Sequence, residues 1–204
     1  VWDRRVVHGE LDTGERLVAR RLAAQRGELR GEDGRPLVFR QAGERVGIDK
    51  SLVDAATAEA SAGELAGILG VEPGPLVARV RAATPRAFVE AAFLRTGDAA
   101  QRARLVSAKE VAGVRGFHEQ RMLARTPRFA RSVLGIVGEA TAEIIEESRG
   151  EIRPGDVVGL SGLQRTQDAR LRGVTGFSVE TVDARGRATA VLLREPAQDS
   201  APLT

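Results

Sequence analysis

Catalysis needs a nucleophile or an acid–base pair held at a fixed spacing, and this chain offers few candidates. It has two histidines, two lysines, no cysteine and no asparagine. His118 is followed by Glu119, but neighbours on an extended chain point to opposite faces and do not form a dyad. His8 has no second histidine within metal-ligand spacing. The residues three before Lys50 and Lys109 are Gly47 and Val106, so neither lysine shares a helix face with a serine in a Ser-x-x-Lys pair. Neither is followed by Thr-Gly, and a Ser-x-Asn element is impossible without asparagine. Ser161 sits in Gly159-Leu160-Ser161-Gly162, which lacks the Gly-x-Ser-x-Gly spacing of a nucleophile elbow. Glu143, Glu146 and Glu147 could gather around a divalent cation, yet Ile144 and Ile145 take the inward positions and turn the glutamates to solvent. There is no Walker A loop and no Gly-x-Gly-x-x-Gly. No catalytic residue, metal or cofactor is therefore expected. The rival from the enzyme class would use His118, the Glu143–Glu147 cluster or Asp156, and would require these acids to meet in one deep pocket.

Composition narrows the class further. At 204 residues with 42% hydrophobic content, the chain is long and apolar enough for one or two globular domains. No apolar run approaches the ~18–20 residues that span a bilayer, and the Val1-Trp2 start is that of an excised piece whose targeting segment would lie upstream. The pI of about 10.3 suggests nucleic acid, but net charge is only +3. Without tyrosine or cysteine almost nothing titrates until lysine near pH ~10.4, so the pI reports missing buffers rather than a basic surface. Aromatic residues are 3% of the chain and are not interleaved with a basic run, which excludes a nucleic-acid footprint.

The elements that would position any site read as follows. Arg16–Leu22 is a strand. Glu32-Asp33-Gly34 is a hairpin turn signal, and Pro36 marks a strand start or edge. Glu44–Asp49 is a strand. Ser51–Leu69 is an Ala-rich helix closed by Gly70, and Pro73–Ala83 is a second helix. A strand over Ala87–Leu94, a helix over Asp98–Val106 and a strand over Glu110–Leu123 follow. Thr126-Pro127 opens a short helix whose apolar face is Phe129, Ala130, Val133 and Leu134. Thr141 starts another. Between Gly155 and Gly176 the spacing predicts a tight turn, a helix of about three turns and a glycine stop. Phe177–Val182 and Thr189–Arg194 form a hairpin around Asp183–Arg187, and Glu195–Thr204 reads as a Pro/Ala linker.

Two of these stretches carry a resemblance. Gly159, Gly162, Leu163, Asp168, Leu171, Gly173 and Gly176 match the G-x-x-G-[LI]-E-x-x-Y-[DN]-x-x-L-x-G-x-x-G pattern of the dimerisation, or pedestal, domain of class B penicillin-binding proteins. Arg26, Gly27, Leu29, Asp33, Gly34 and Leu37 resemble that family's R-G-x-I-x-D-R-[NDS]-G-x-x-L-A element, in the family's order. Gln164 stands where the family has Glu, Gln167 where it has an aromatic residue, and Gly31-Glu32 replaces Asp-Arg. Arg128–Gly138 is similar to a third family segment. Residues 6–17 resemble the exit from the small N-terminal domain of the branch related to the methicillin-resistance protein.

The resemblance implies an α+β fold: an elongated pedestal of antiparallel strands with a helical head insertion and one long helix. It places the body at 1–50 and 107–195, the head at 51–106, and a linker toward an absent transpeptidase domain at 196–204. It implies a non-catalytic part of a D,D-transpeptidase of peptidoglycan synthesis, outside the cytoplasmic membrane and anchored by an absent upstream segment. Partners would be its own transpeptidase domain, cell-division or elongation membrane proteins, and a second copy of the chain; nucleic acid would not be one. Arg26, Gln164 and Arg172, with the motif residues named above, would carry structural and interdomain contacts. The alternative is a free-standing ligand- or protein-binding module of the cell surface.

Overall fold

The computed structural model describes residues 14–126 and 128–204. The expectations for Trp2–His8, for most of the 6–17 stretch and for Pro127 lie outside the described residues. The fold is mixed α+β, and the chain divides into two compact units: Arg40–Arg121, and the residues before and after it.

The first unit holds strand β1 (Arg16–Leu22), which pairs antiparallel with β8 (Gly176–Val182); β8 pairs in turn with β9 (Ala188–Glu195). The Asp183–Arg187 turn joins β8 and β9, with Asp183 accepting from the Arg185 and Arg187 N–H groups. Strand β2 (Leu29–Arg30) meets the start of β3 (Pro36–Asp49) across the Asp33-Gly34 turn. Gly34 is left-handed there, with φ of 75°, as the turn demands. Helix α4 (Arg131–Leu134), strand β6 (Val137–Glu139), helix α5 (Ala142–Glu147) and strand β7 (Val157–Gly159) follow, β6 pairing antiparallel with β7. Thr141 caps α5, as its position predicts. Leu29, Val38, Leu134 and Leu171 form one apolar cluster; Ile144, Ile152 and Val158 form another.

The short helix expected after Thr126 differs from the sequence reading. Ala130 adopts the left-handed conformation and delays the helix to Arg131, so Leu134 is buried while Phe129 and Val133 stay exposed. The tail also departs from a free linker. Leu203 bridges Leu29, the Leu203 N–H donates to the Glu28 carbonyl, and the Ser200 N–H donates to the Gln25 carbonyl. An apolar side chain and a row of backbone donors fix a segment that its Pro/Ala composition reads as loose.

The second unit packs helices α1 (Ala55–Leu69), α2 (Pro73–Ala82) and α3 (Ala99–Lys109) beside β3, β4 (Phe88–Arg95) and β5 (Val114–Ala124). β3 pairs antiparallel with β4, and β5 also pairs with β3. The helix ends follow local signals. Asp54 and Asp98 accept from N–H groups of the first turns of α1 and α3, Gly70 closes α1 at φ of 69°, and Pro73 opens α2. Lys50 donates to the Val80 and Ala83 carbonyls, tying the end of α2 to β3. Val46, Ile48, Ala58, Ala62, Leu65 and Val80 are wholly buried among them. The unit takes in the flanking strands as well as the 51–106 helices. Among the described residues, no helix is long and apolar enough to cross a membrane.

Two outcomes are expected for the second unit. Leu65→Ala should cost about 2–5 kcal/mol in urea unfolding, since the side chain is fully buried and leaves a cavity; the exposed Val106→Ala should change little. Hydrogen bonds from Ser51, and then Arg115, hold the Asp49 carboxyl below its ordinary range. A lowered folded value stabilises above the unfolded pKa of ~3.9, and the contribution is lost as pH falls through the folded value. Asp49→Asn should therefore flatten the acid limb of stability measured from pH 5 down to pH 2.

Candidate functional site

The two motif stretches, over a hundred residues apart in sequence, meet around one guanidinium. Arg26 lies just after β1, on a backbone anchored by the Gly27 N–H donating to the Leu171 carbonyl at 2.8 Å. Its Nε donates to Gln164 Oε1 at 2.9 Å, one terminal nitrogen to Asp168 Oδ1 at 2.6 Å, and the other to the Gln164 carbonyl oxygen at 3.0 Å. Arg26, Gln164 and Asp168 are all buried or nearly so. Burial pushes the Arg26 guanidinium below its ordinary value, and the hydrogen bond and charge of Asp168 oppose this.

This contact remakes the local structure. The spacing predicts one helix of three turns here, but the structure has two short ones, α6 (Gly162–Thr166) and α7 (Asp168–Leu171), meeting at Gln167. The physical reason lies in the Gln164 carbonyl, which a continuous helix would offer to the Asp168 N–H. It accepts from Arg26 instead. Asp168, at the start of α7, is then free to accept from the Gly159 N–H at 2.7 Å as well as from Arg26. Arg172 adds a second cation, 3.8 Å from Asp168 Oδ2 and 2.6 Å from Glu151.

Two glycines make the approach feasible. A Cβ on Gly159 would overlap the Gln164 carbonyl and sit 2.6 Å from the Arg165 nitrogen. Gly162 has φ of 54°, and a Cβ there would lie 2.5 Å from the Val133 carbonyl oxygen. Gly173, left-handed, and Gly27 leave room for the tail at Gln198–Ala201; Gly176, buried at the start of β8, does so for the chain at 195–197. Leu171 is in the core, whereas Leu163 is exposed. Asp33 and Gly34 form the β2–β3 turn and take no part in the junction.

The tail was not legible as a component. Asp199 Oδ1 accepts from the Gln25 N–H at 2.6 Å, and the Ser200 hydroxyl donates to the Arg170 carbonyl. Leu203 is the one sequence signal that could have marked the tail as packed. In the second unit the buried Glu44 carboxylate, also unforeseen, pairs with Lys109 at 2.7 Å, and His118 Nδ1 stands 3.8 Å away.

The residues of the enzyme reading are dispersed. Asp156 binds Arg21, Glu147 binds Arg165, and His118 lies in the other unit. Among the described residues no three histidine or carboxylate side chains converge as a metal site. The arrangement braces a structure; it offers no activated nucleophile.

The profile of the penicillin-binding protein dimerisation domain matches residues 21–204 of this chain. No curated protein sequence matches it. Among solved structures, the complex between penicillin-binding protein PBP2 and MreC from Helicobacter pylori is similar in fold, with a TM-score of 0.55 and 14% identity. The match covers 90% of this chain and 35% of that one, so the chain spans about a third of that relative's length.

Gln164 Nε2 is buried without a partner, which costs about 1–3 kcal/mol. Gln164→Glu removes that donor and gives Arg26 a second carboxylate. We expect it to raise unfolding free energy at pH 7 by about 1 kcal/mol. A carboxylate gaining a cation has a lowered folded pKa, so the gain should vanish as pH falls toward 4 and below. Urea unfolding at both pH values checks this.

Proposed function

Because this chain belongs to the penicillin-binding protein dimerisation domain family, we propose that it works as the non-catalytic pedestal of a D,D-transpeptidase in peptidoglycan synthesis. It would hold a catalytic domain at a set place outside the cytoplasmic membrane and present a surface to cell-wall synthesis proteins. The observation that carries the reading is the junction itself: residues of both motif stretches meet at Arg26, and the chain's last residues are built in beside it. A domain appended after Thr204 would start from a fixed point.

Three finer assignments belong to the same proposal. The Helicobacter pylori relative is a PBP2 in complex with MreC, which supports a protein partner of related kind for this chain. The Arg26 junction is the part through which strain in the pedestal would reach the catalytic domain. Residues 6–17 favour the branch related to the methicillin-resistance protein, with an upstream anchor in the membrane.

Acylation by a fluorescent penicillin tests the proposal. The 204-residue chain should remain unlabelled, while the natural protein that carries it should label covalently at a serine beyond Thr204. Labelling of this chain, or no labelling of either, would overturn the transpeptidase reading.

A further inference from the structure

The segment after β5 spends apolar side chains on solvent. Phe129, Val133, Ile136 and Leu163 are 39%, 63%, 37% and 40% exposed, although the sequence pattern would place the first two on a buried helix face. The backbone brings the last three side by side. The Ile136 N–H donates to the Ser161 hydroxyl at 3.2 Å, the Leu160 N–H donates to the Ile136 carbonyl at 2.8 Å, and Gly162 packs on the Val133 carbonyl. Ala130, left-handed at φ of 44°, cuts the helix short and leaves Phe129 at the border of this group. Only Leu134 turns inward. Leu163 belongs to the motif stretch, yet it takes no part in the Arg26 junction.

The segment that carries Phe129, Val133 and Ile136 is basic. Between Arg121 and Glu139 the chain carries Arg125, Arg128 and Arg131 and no acid. Arg128 and Arg131 are exposed beside the patch, and Arg165 follows Leu163 by two residues. An apolar centre with a basic rim is complementary to an apolar ridge flanked by carboxylates. The acids nearby are Glu147, which holds Arg165 at 2.9 Å, and exposed Glu139. They disfavour a flat anionic membrane as the occupant.

We propose that Val133, Ile136 and Leu163, with Phe129 and the arginines Arg128, Arg131 and Arg165, form a docking surface for an acidic amphipathic helix of a protein partner. The inference stands on this surface alone and does not depend on the transpeptidase reading.

Two helical probe peptides test it, identical in their leucine ridge and carrying either glutamate or lysine on the polar face, with fluorescence anisotropy on the 204-residue chain. The glutamate peptide should bind at least about tenfold more tightly than the lysine peptide. Val133→Ser, Leu163→Ser and Arg128→Glu should each weaken it by about tenfold or more without shifting the thermal midpoint, since all three side chains are exposed. Equal affinity for both peptides, no binding of either, or binding untouched by Val133→Ser would overturn the proposal. Binding to phosphatidylglycerol vesicles abolished by Val133→Ser, in place of the glutamate peptide, would reassign the surface to lipid. Self-association in sedimentation, lost in the same variant, would reassign it to a second copy.

Discussion

A buried guanidinium cannot be left half satisfied. Arg26 spends its donors on the Gln164 side chain, the Gln164 backbone and Asp168, and each bond constrains a different part of the first unit. The side-chain bond fixes the first turn after β7, the backbone bond breaks the helix at Gln167, and the ion pair anchors α7. Removing one partner of such a pair leaves a buried charge uncompensated, at about 3–5 kcal/mol. That asymmetry makes the two motif stretches a single structural unit despite their separation.

Several of the motif glycines follow from this contact. Asp168 can serve Arg26 and the Gly159 N–H together only if strand β7 runs close beneath α6, and Gly159 permits that approach. Gly27 and Gly173 keep the space through which residues 198–201 pass, so the tail is clamped by the same elements that clamp Arg26. Site and scaffold are here one thing: the candidate site has no reacting group, and its product is a fixed position.

How much was legible depended on the range of the cause. Helices α1 to α3 start at the local signals Asp54, Pro73 and Asp98, and Gly70 closes α1; the sequence reading began α1 early, at Ser51, and ended α3 at Val106, short of Lys109. β1 and the turn at Asp33-Gly34 were equally local. The three-turn helix failed because its competitor for the Gln164 carbonyl lies far away in sequence, and no local rule includes Arg26. The helix after Thr126 failed because Ala130 adopts a conformation its side chain disfavours. The tail failed because composition hides one well-placed leucine. At the junction, Arg26, Gln164 and Asp168 stand in the two sequence patterns, but periodicity cannot say that they touch. The burial of Glu44 left no sequence signal at all.

The central claim is that Arg26 and Asp168 are coupled, and a double-mutant cycle measures this. Arg26→Ala, Asp168→Ala and the double variant would be unfolded in urea, with circular dichroism and amide exchange at Gly27 and Gly159 reporting the junction. The account predicts that each single variant loses several kcal/mol and that the double variant loses far less than their sum, with a coupling of about 2 kcal/mol or more. Losses that add to within about 0.5 kcal/mol would contradict it, because the two residues would then hold the unit independently.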